Sequence, residues 1–230
     1  VYKRQGLEIA VQPAGDEPGA TAVAADGETY YVVDEENTLL GIIDSNSGNR
    51  TDVALDSAFD RIVVDPHGEF LVLYFSGDSD GQVVARNLNE VGIVDLRSAP
   101  TASFLTLSSR PTAIEFAPPF ERDGAAQRLA VVSSLNEITV LDLEELEEPE
   151  DALREVPLTI SEADTVRRPV SIAFDVTPEA DEPDVVRVYV LSDQSNDITE
   201  ISVQPAVLPD AERKLDPRST NLLPAPARIA

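Results

Sequence analysis

Short apolar runs of about four to six residues, separated by Gly, Pro, Asp and Asn, recur along this chain in four similar units. Runs of that length with β-branched and aromatic residues predict strands rather than helices. The first runs of the units lie at 21–25, 61–64, 112–116 and 170–174, and the second runs at 30–33, 70–75, 129–132 and 186–191. One motif appears twice: Arg110-Pro111-Thr112-Ala113-Ile114-Glu115-Phe116 and Arg168-Pro169-Val170-Ser171-Ile172-Ala173-Phe174. Between first and second runs, Asp26-Gly27-Glu28 and Asp65-Pro66-His67-Gly68-Glu69 supply the glycine that a tight hairpin turn needs. In the third and fourth units the same junction expands to polar stretches at 117–127 and 175–184.

The third runs carry a register mark, an Asn before an alternating stretch that closes near Asp: 37–44, 89–95, 136–142 and 196–202. Their end positions, 44, 95, 142 and 202, give spacings of 51, 47 and 60 residues, about the length of one four-stranded propeller blade. Fourth runs follow at 52–55, 104–107 and 156–160, and the fourth unit shows none. The run at 7–11 is a candidate closing strand for that last unit, which would remove an exposed sheet edge. The expected organisation is an all-β domain over 1–203, a β-propeller of four-stranded antiparallel blades, whole or part of a larger one. Its units lie near 19–57, 58–109, 110–166 and 167–203, and residues 204–230, rich in proline, read as a tail or linker. The acidic stretch 144–155 reads as a solvated insertion, since Pro149 interrupts any helix there.

Tyr30-Tyr31-Val32-Val33, Asn37, Gly41-Ile42-Ile43-Asp44 and Ser47-Gly48-Asn49 together resemble the bacterial YVTN-type β-propeller repeat. The similarity covers roughly residues 19–203. The third and fourth units depart from it by long insertions, and Ser202 stands where the repeat has Asp. That resemblance implies a bacterial protein placed outside the cytoplasm, whether periplasmic, cell-surface or secreted. It also implies either a binding module or, as the alternative, a lactonase-like hydrolase that activates water on a cation.

Charge changes the picture more than size does. Forty-three acidic against 17 basic residues give a formal net charge of −26, with 42% hydrophobic residues and a mean hydropathy of −0.12. Such a surface repels phosphate backbones, which argues against nucleic-acid binding, and it favours a basic protein partner or cations. No apolar run is long enough for a transmembrane helix. Without cysteine there is no disulfide, thiolate nucleophile or Cys-ligated metal. The chain also lacks methionine, even at position 1, which points to a processed protein, an excised domain or an incomplete chain.

No arrangement in the sequence resembles a catalytic site. His67, the single histidine, lies in a predicted hairpin turn, so a Ser-His-Asp triad would need a nucleophile and an acid brought to an exposed tip, and one His without Cys is too little for zinc. Calcium suits the oxygen-rich loops better, with Asp78 and Asp80 in one and Asp44 and Asn46 in another as candidate ligands. Neither loop completes an EF-hand, and both also suit turns that use Asp, Asn and Ser for local backbone bonding. No phosphate-binding glycine loop is present. Arg110 and Arg168 precede equivalent first runs, so at one mouth of a propeller channel they would bind an anion, or each would pair locally and fix blade packing. The expected function is a non-catalytic module for protein or small-ligand binding, with no cofactor beyond possible calcium. The hydrolase and a domain of a larger surface assembly are the alternatives.

Overall fold

The computed structural model describes residues 14–15, 18–76, 87–122, 125–135, 137–144, 146, 153–157, 169–177, 186–192, 197–203 and 215–221. They form four antiparallel four-stranded sheets and one small hairpin, and no helix occurs among them. The first sheet is β1 (Pro18–Val23), β2 (Thr29–Asp34), β3 (Leu39–Asp44) and β4 (Arg50–Ala54). In the second, β5 (Arg61–Val64), β6 (Phe70–Tyr74), β7 (Glu90–Asp95) and β8 (Thr101–Thr106) repeat the same order. The third interposes the hairpin β10 (Phe120–Arg122) and β11 (Ala125–Gln127) between β9 (Ala113–Phe116) and β12 (Leu129–Ser133), then adds β13 (Glu137–Asp142) and β14 (Leu153–Pro157). In the fourth, β15 (Pro169–Asp175), β16 (Val186–Ser192), β17 (Asp197–Val203) and β18 (Leu215–Asn221) lie in sequence order.

The predicted hairpin turns form because glycine takes a conformation that other residues resist. Gly27 and Gly68 have φ of +72° and +71°, and the turns close through Ala24 N–H to the Thr29 carbonyl and Asp65 N–H to the Phe70 carbonyl, each 2.9 Å.

Alternation along the second strands explains how the sheets stack. All of β6 is buried, with Leu71 and Leu73 in the cluster shared with the first sheet and Phe70, Val72 and Tyr74 in the cluster shared with the third. In β12, Ala130 and Val132 meet the second sheet, and Leu129 and Val131 meet the fourth. Three apolar clusters therefore join four sheets in chain order, each middle sheet buried on both faces. That is the radial blade packing of a β-propeller.

Register makes the blades equivalent residue by residue. Opposite Val32, Leu73, Val132 and Val190, at the centre of each third strand, sit Gly41, Gly92, Thr139 and Thr199. A small residue is kept there. In the second blade the reason is visible: a Cβ on Gly92 would lie 3.1 Å from the Phe59 ring and 3.4 Å from that of Phe104. Phe59 is fully buried and also packs on Phe75, with ring centroids 4.9 Å apart.

Three expectations need correction. The segment 215–221, assigned to a tail, is the outer strand of the fourth blade, pairing with β17 from Asp197↔Asn221 to Val203↔Leu215. An outermost strand has one neighbour, so it tolerates Pro217 and shows little apolar alternation. The fourth blade thus takes its outer strand from the chain's C-terminal side, and the candidate closing strand 7–11 lies outside the described residues. The third blade's outer strand is 153–157 rather than 156–160, because β13 pairs Leu141 with Leu153 and Ile138 with Val156, drawing the end of the acidic insertion into the sheet. Finally, the expanded junction 117–127 contains the hairpin β10–β11.

Candidate functional site

Antiparallel order gives the stack two ends. One holds the turns between first and second strands and between third and fourth. The other holds the turns between second and third strands together with the linkers that lead from one blade to the next.

At the first end, acidic residues close turns. Asp44 Oδ1 accepts the backbone N–H groups of Asn46 and Ser47, each at 2.8 Å, and these bonds hold its carboxyl below the usual aspartate range. Asp142 Oδ1 accepts Glu144 N–H, and Asp175 Oδ1 accepts Thr177 N–H, which likewise lowers the Asp175 pKa. Asp44 and Asp142 close third strands and Asp175 a first strand, so the same bonding serves both kinds of turn at this end. His67 is exposed in the β5–β6 turn. Of the calcium candidates, Asp78 and Asp80 lie outside the described residues, and Asp44 and Asn46 share a turn in which Asp44 is the acceptor and Asn46 gives its N–H. Among the described residues no three carboxylate or imidazole groups converge.

A cross-blade clasp also sits at this end. Arg97 donates to Asp95 (2.8 Å) and to Glu144 of the third blade (2.5 Å), while its guanidinium carbon lies 4.5 Å from the centroid of the Phe70 ring. The Arg97 side-chain bond is the main cause holding Asp95 below the ordinary aspartate value of about 4. Arg97→Ala should cost about 1–2 kcal/mol, the sum of a partly exposed cation–π contact and a surface ion pair. Because the folded Asp95 pKa is depressed, its contribution is present above about pH 4 and disappears as the pH falls through the folded value. Urea unfolding at pH 7 and pH 3 should show a smaller acid loss in Arg97→Ala than in the parent, and equal losses would refute the assignment.

At the linker end, each of two linkers gives a serine hydroxyl to the glutamate that opens the third strand of the next blade. Ser57 Oγ donates to Glu90 (2.5 Å), and Ser108 Oγ donates to Glu137 (2.6 Å). Nearby, buried Asp60 accepts Ser76 N–H at 2.7 Å, and Arg61 donates to the Asp60 carbonyl at 2.9 Å. Arg110 lies at the seam between second and third blades. Its Nε donates to the Phe75 carbonyl at 3.2 Å, and its Nη2 is buried without a partner among the described residues. Arg168 is outside the described residues, so the expected pair is seen only through Arg110.

Two residues at this end escaped the sequence reading. Leu88 and Leu135 are 45% and 54% exposed, each on the turn between a second and a third strand. Their signal was the tripeptide Leu-Asn-Glu at 88–90 and again at 135–137.

No protein-family model matches the chain, and no curated protein matches it. Among solved structures it is similar to hydrazine synthase of Kuenenia stuttgartiensis, at 16% identity and a TM-score of 0.44, over 96% of this chain and 66% of that one. It is similar to the Cps50 (Swd1) β-propeller domain of Myceliophteria thermophila at 10% identity and a TM-score of 0.43, covering 93% and 74%. Against the dihydro-heme d1 dehydrogenase NirN the identity is 12% and the TM-score 0.38, with 84% of this chain and 46% of that one covered. The stacked four-stranded sheets make this chain an all-β protein of the β-propeller type.

Proposed function

We propose that this chain is a non-catalytic β-propeller module of the YVTN-repeat kind, exported from a bacterial cell, that binds a protein partner through its linker end. The observation that carries the reading is a linker end fixed across blades by the Ser57–Glu90 and Ser108–Glu137 hydrogen bonds. The pKa values of Asp44, Asp95 and Asp175 are all lowered, because each accepts backbone or arginine hydrogen bonds. These groups are held as anions that shape turns and grip Arg97, which suits a rigid scaffold. The bacterial and extracytoplasmic parts rest on the repeat resemblance. A net charge of −26 favours a basic partner. A small anion is the ligand that the Arg110 guanidinium would take. The module needs no cofactor.

A photo-reactive amino acid at Ser109, at the linker end, is expected to capture a defined protein in the producing cells, and one at Ser45, at the opposite end, is not. Equal capture from both ends, or lactone hydrolysis that appears with calcium and vanishes with chelator, would contradict the proposal and favour the hydrolase.

A further inference from the structure

Exposed leucines are common on protein surfaces and individually mean little. Leu88 and Leu135 differ from scatter in three respects. They occupy equivalent positions in consecutive blades, each just before an Asn-Glu pair whose Glu opens the third strand. The described residues flanking each leucine are held by hydrogen bonds. Around Leu88, Asn87 Oδ1 accepts Asn89 N–H (3.0 Å), the Asn87 carbonyl accepts Glu90 N–H (3.2 Å), and Asn87 Nδ2 donates to Thr106 Oγ1 (3.2 Å). Around Leu135, Ser134 N–H and Oγ both donate to the Glu137 carbonyl at 3.0 Å, and Ser134 Oγ accepts Glu137 N–H at 3.1 Å.

The two turns are also tied to each other. Asn89 Nδ2 donates to the Ser108 carbonyl (3.1 Å), and Ser108 Oγ donates to Glu137 (2.6 Å). A chain of two hydrogen bonds thus runs from the Leu88 turn through the linker to the base of the Leu135 turn. Apolar side chains presented on a pre-ordered frame lose little freedom on binding, which is what an anchor needs.

We propose that Leu88 and Leu135 are paired apolar anchors for a partner segment that carries apolar residues flanked by Lys or Arg. The inference rests on the module reading above and names the class of partner. Basic flanks follow from the charge: Glu90 and Glu137 lie beside the two leucines, and the whole chain is strongly acidic. A second copy of this chain would bring the same negative field and be repelled.

Fluorescence anisotropy at physiological salt tests this with a labelled 14-residue amphipathic peptide made only of leucine and lysine. Leu88→Ser/Leu135→Ser should weaken its binding at least tenfold and leave the melting temperature unchanged, since both side chains are exposed. Val23→Ser, an exposed apolar residue at the far end of the stack, should change the affinity less than twofold. Equal binding by the parent and the double variant would overturn the inference. If Ser109 capture persisted in that case, the module reading would survive and only the leucine assignment would fall. Sedimentation showing a parent dimer that the double variant abolishes would make the occupant a second copy and also overturn it.

Discussion

Phe59→Ala is expected to lower the free energy of unfolding by about 3–5 kcal/mol, the range for emptying a fully buried aromatic site. Phe59 lies in the linker between the first and second blades, and its ring fills the space left by Gly92, against Phe75 and Phe104. Gly92→Ala should cost about 1–3 kcal/mol in the parent, because the new methyl meets the Phe59 ring, which must give way. In the Phe59→Ala background that obstacle is gone, so the same substitution should cost much less. Urea midpoints at constant slope measure all four corners of the cycle. Strict additivity would show that Phe59 does not occupy the Gly92 site.

Val188→Asp is expected to be at least as damaging, above about 4 kcal/mol, because it places a carboxylate in the wholly apolar cluster between the third and fourth blades. Val188→Thr keeps the shape and adds one unpaired hydroxyl, for about 1–3 kcal/mol. Burial raises a carboxyl pKa, so in the folded Val188→Asp variant the proton is held more tightly than in the unfolded chain. Its stability should therefore fall as the pH rises above about 4, and the variant should be more stable at pH 5 than at pH 8. A pH-independent deficit, or one below 1 kcal/mol, would place Val188 at the surface.

Much of the blade architecture was legible because two physical signals agreed. The motifs at 110–116 and 168–174 mark equivalent first strands, with Phe116 opposite Ala130 and Phe174 opposite Val188. The run from Asn to Asp marks third strands because the closing carboxylate bonds the turn that follows it. The outer strands of the third and fourth blades were misread for one shared reason. An edge strand pairs on one side only, so the charged pair Arg154-Glu155 in one and Pro217 in the other are allowed, and the apolar alternation that reveals inner strands fades.

The candidate surface was harder to read. The third runs open at Asn89 and Asn136, so the leucine before each carries no periodic signal, and only the turns around Asn87 and Ser134 reveal that Leu88 and Leu135 face water. Arg110 was singled out as a possible anion ligand, yet its bond to the Phe75 carbonyl crosses blades and depends on a neighbour 35 positions away. Pairings over that separation leave no local pattern.

Methyl-to-methyl NOE spectroscopy on a sample labelled at Ile, Leu and Val tests the radial stacking most directly. Adjacent residues of β12 should report different neighbours: Val132 to Val72 and Ile93 of the second blade, and Val131 to Val188 and Ile201 of the fourth. If Val131 and Val132 instead showed cross-peaks to the same sheet, or one of them to none, the third sheet would not lie between two others and the propeller account would be wrong.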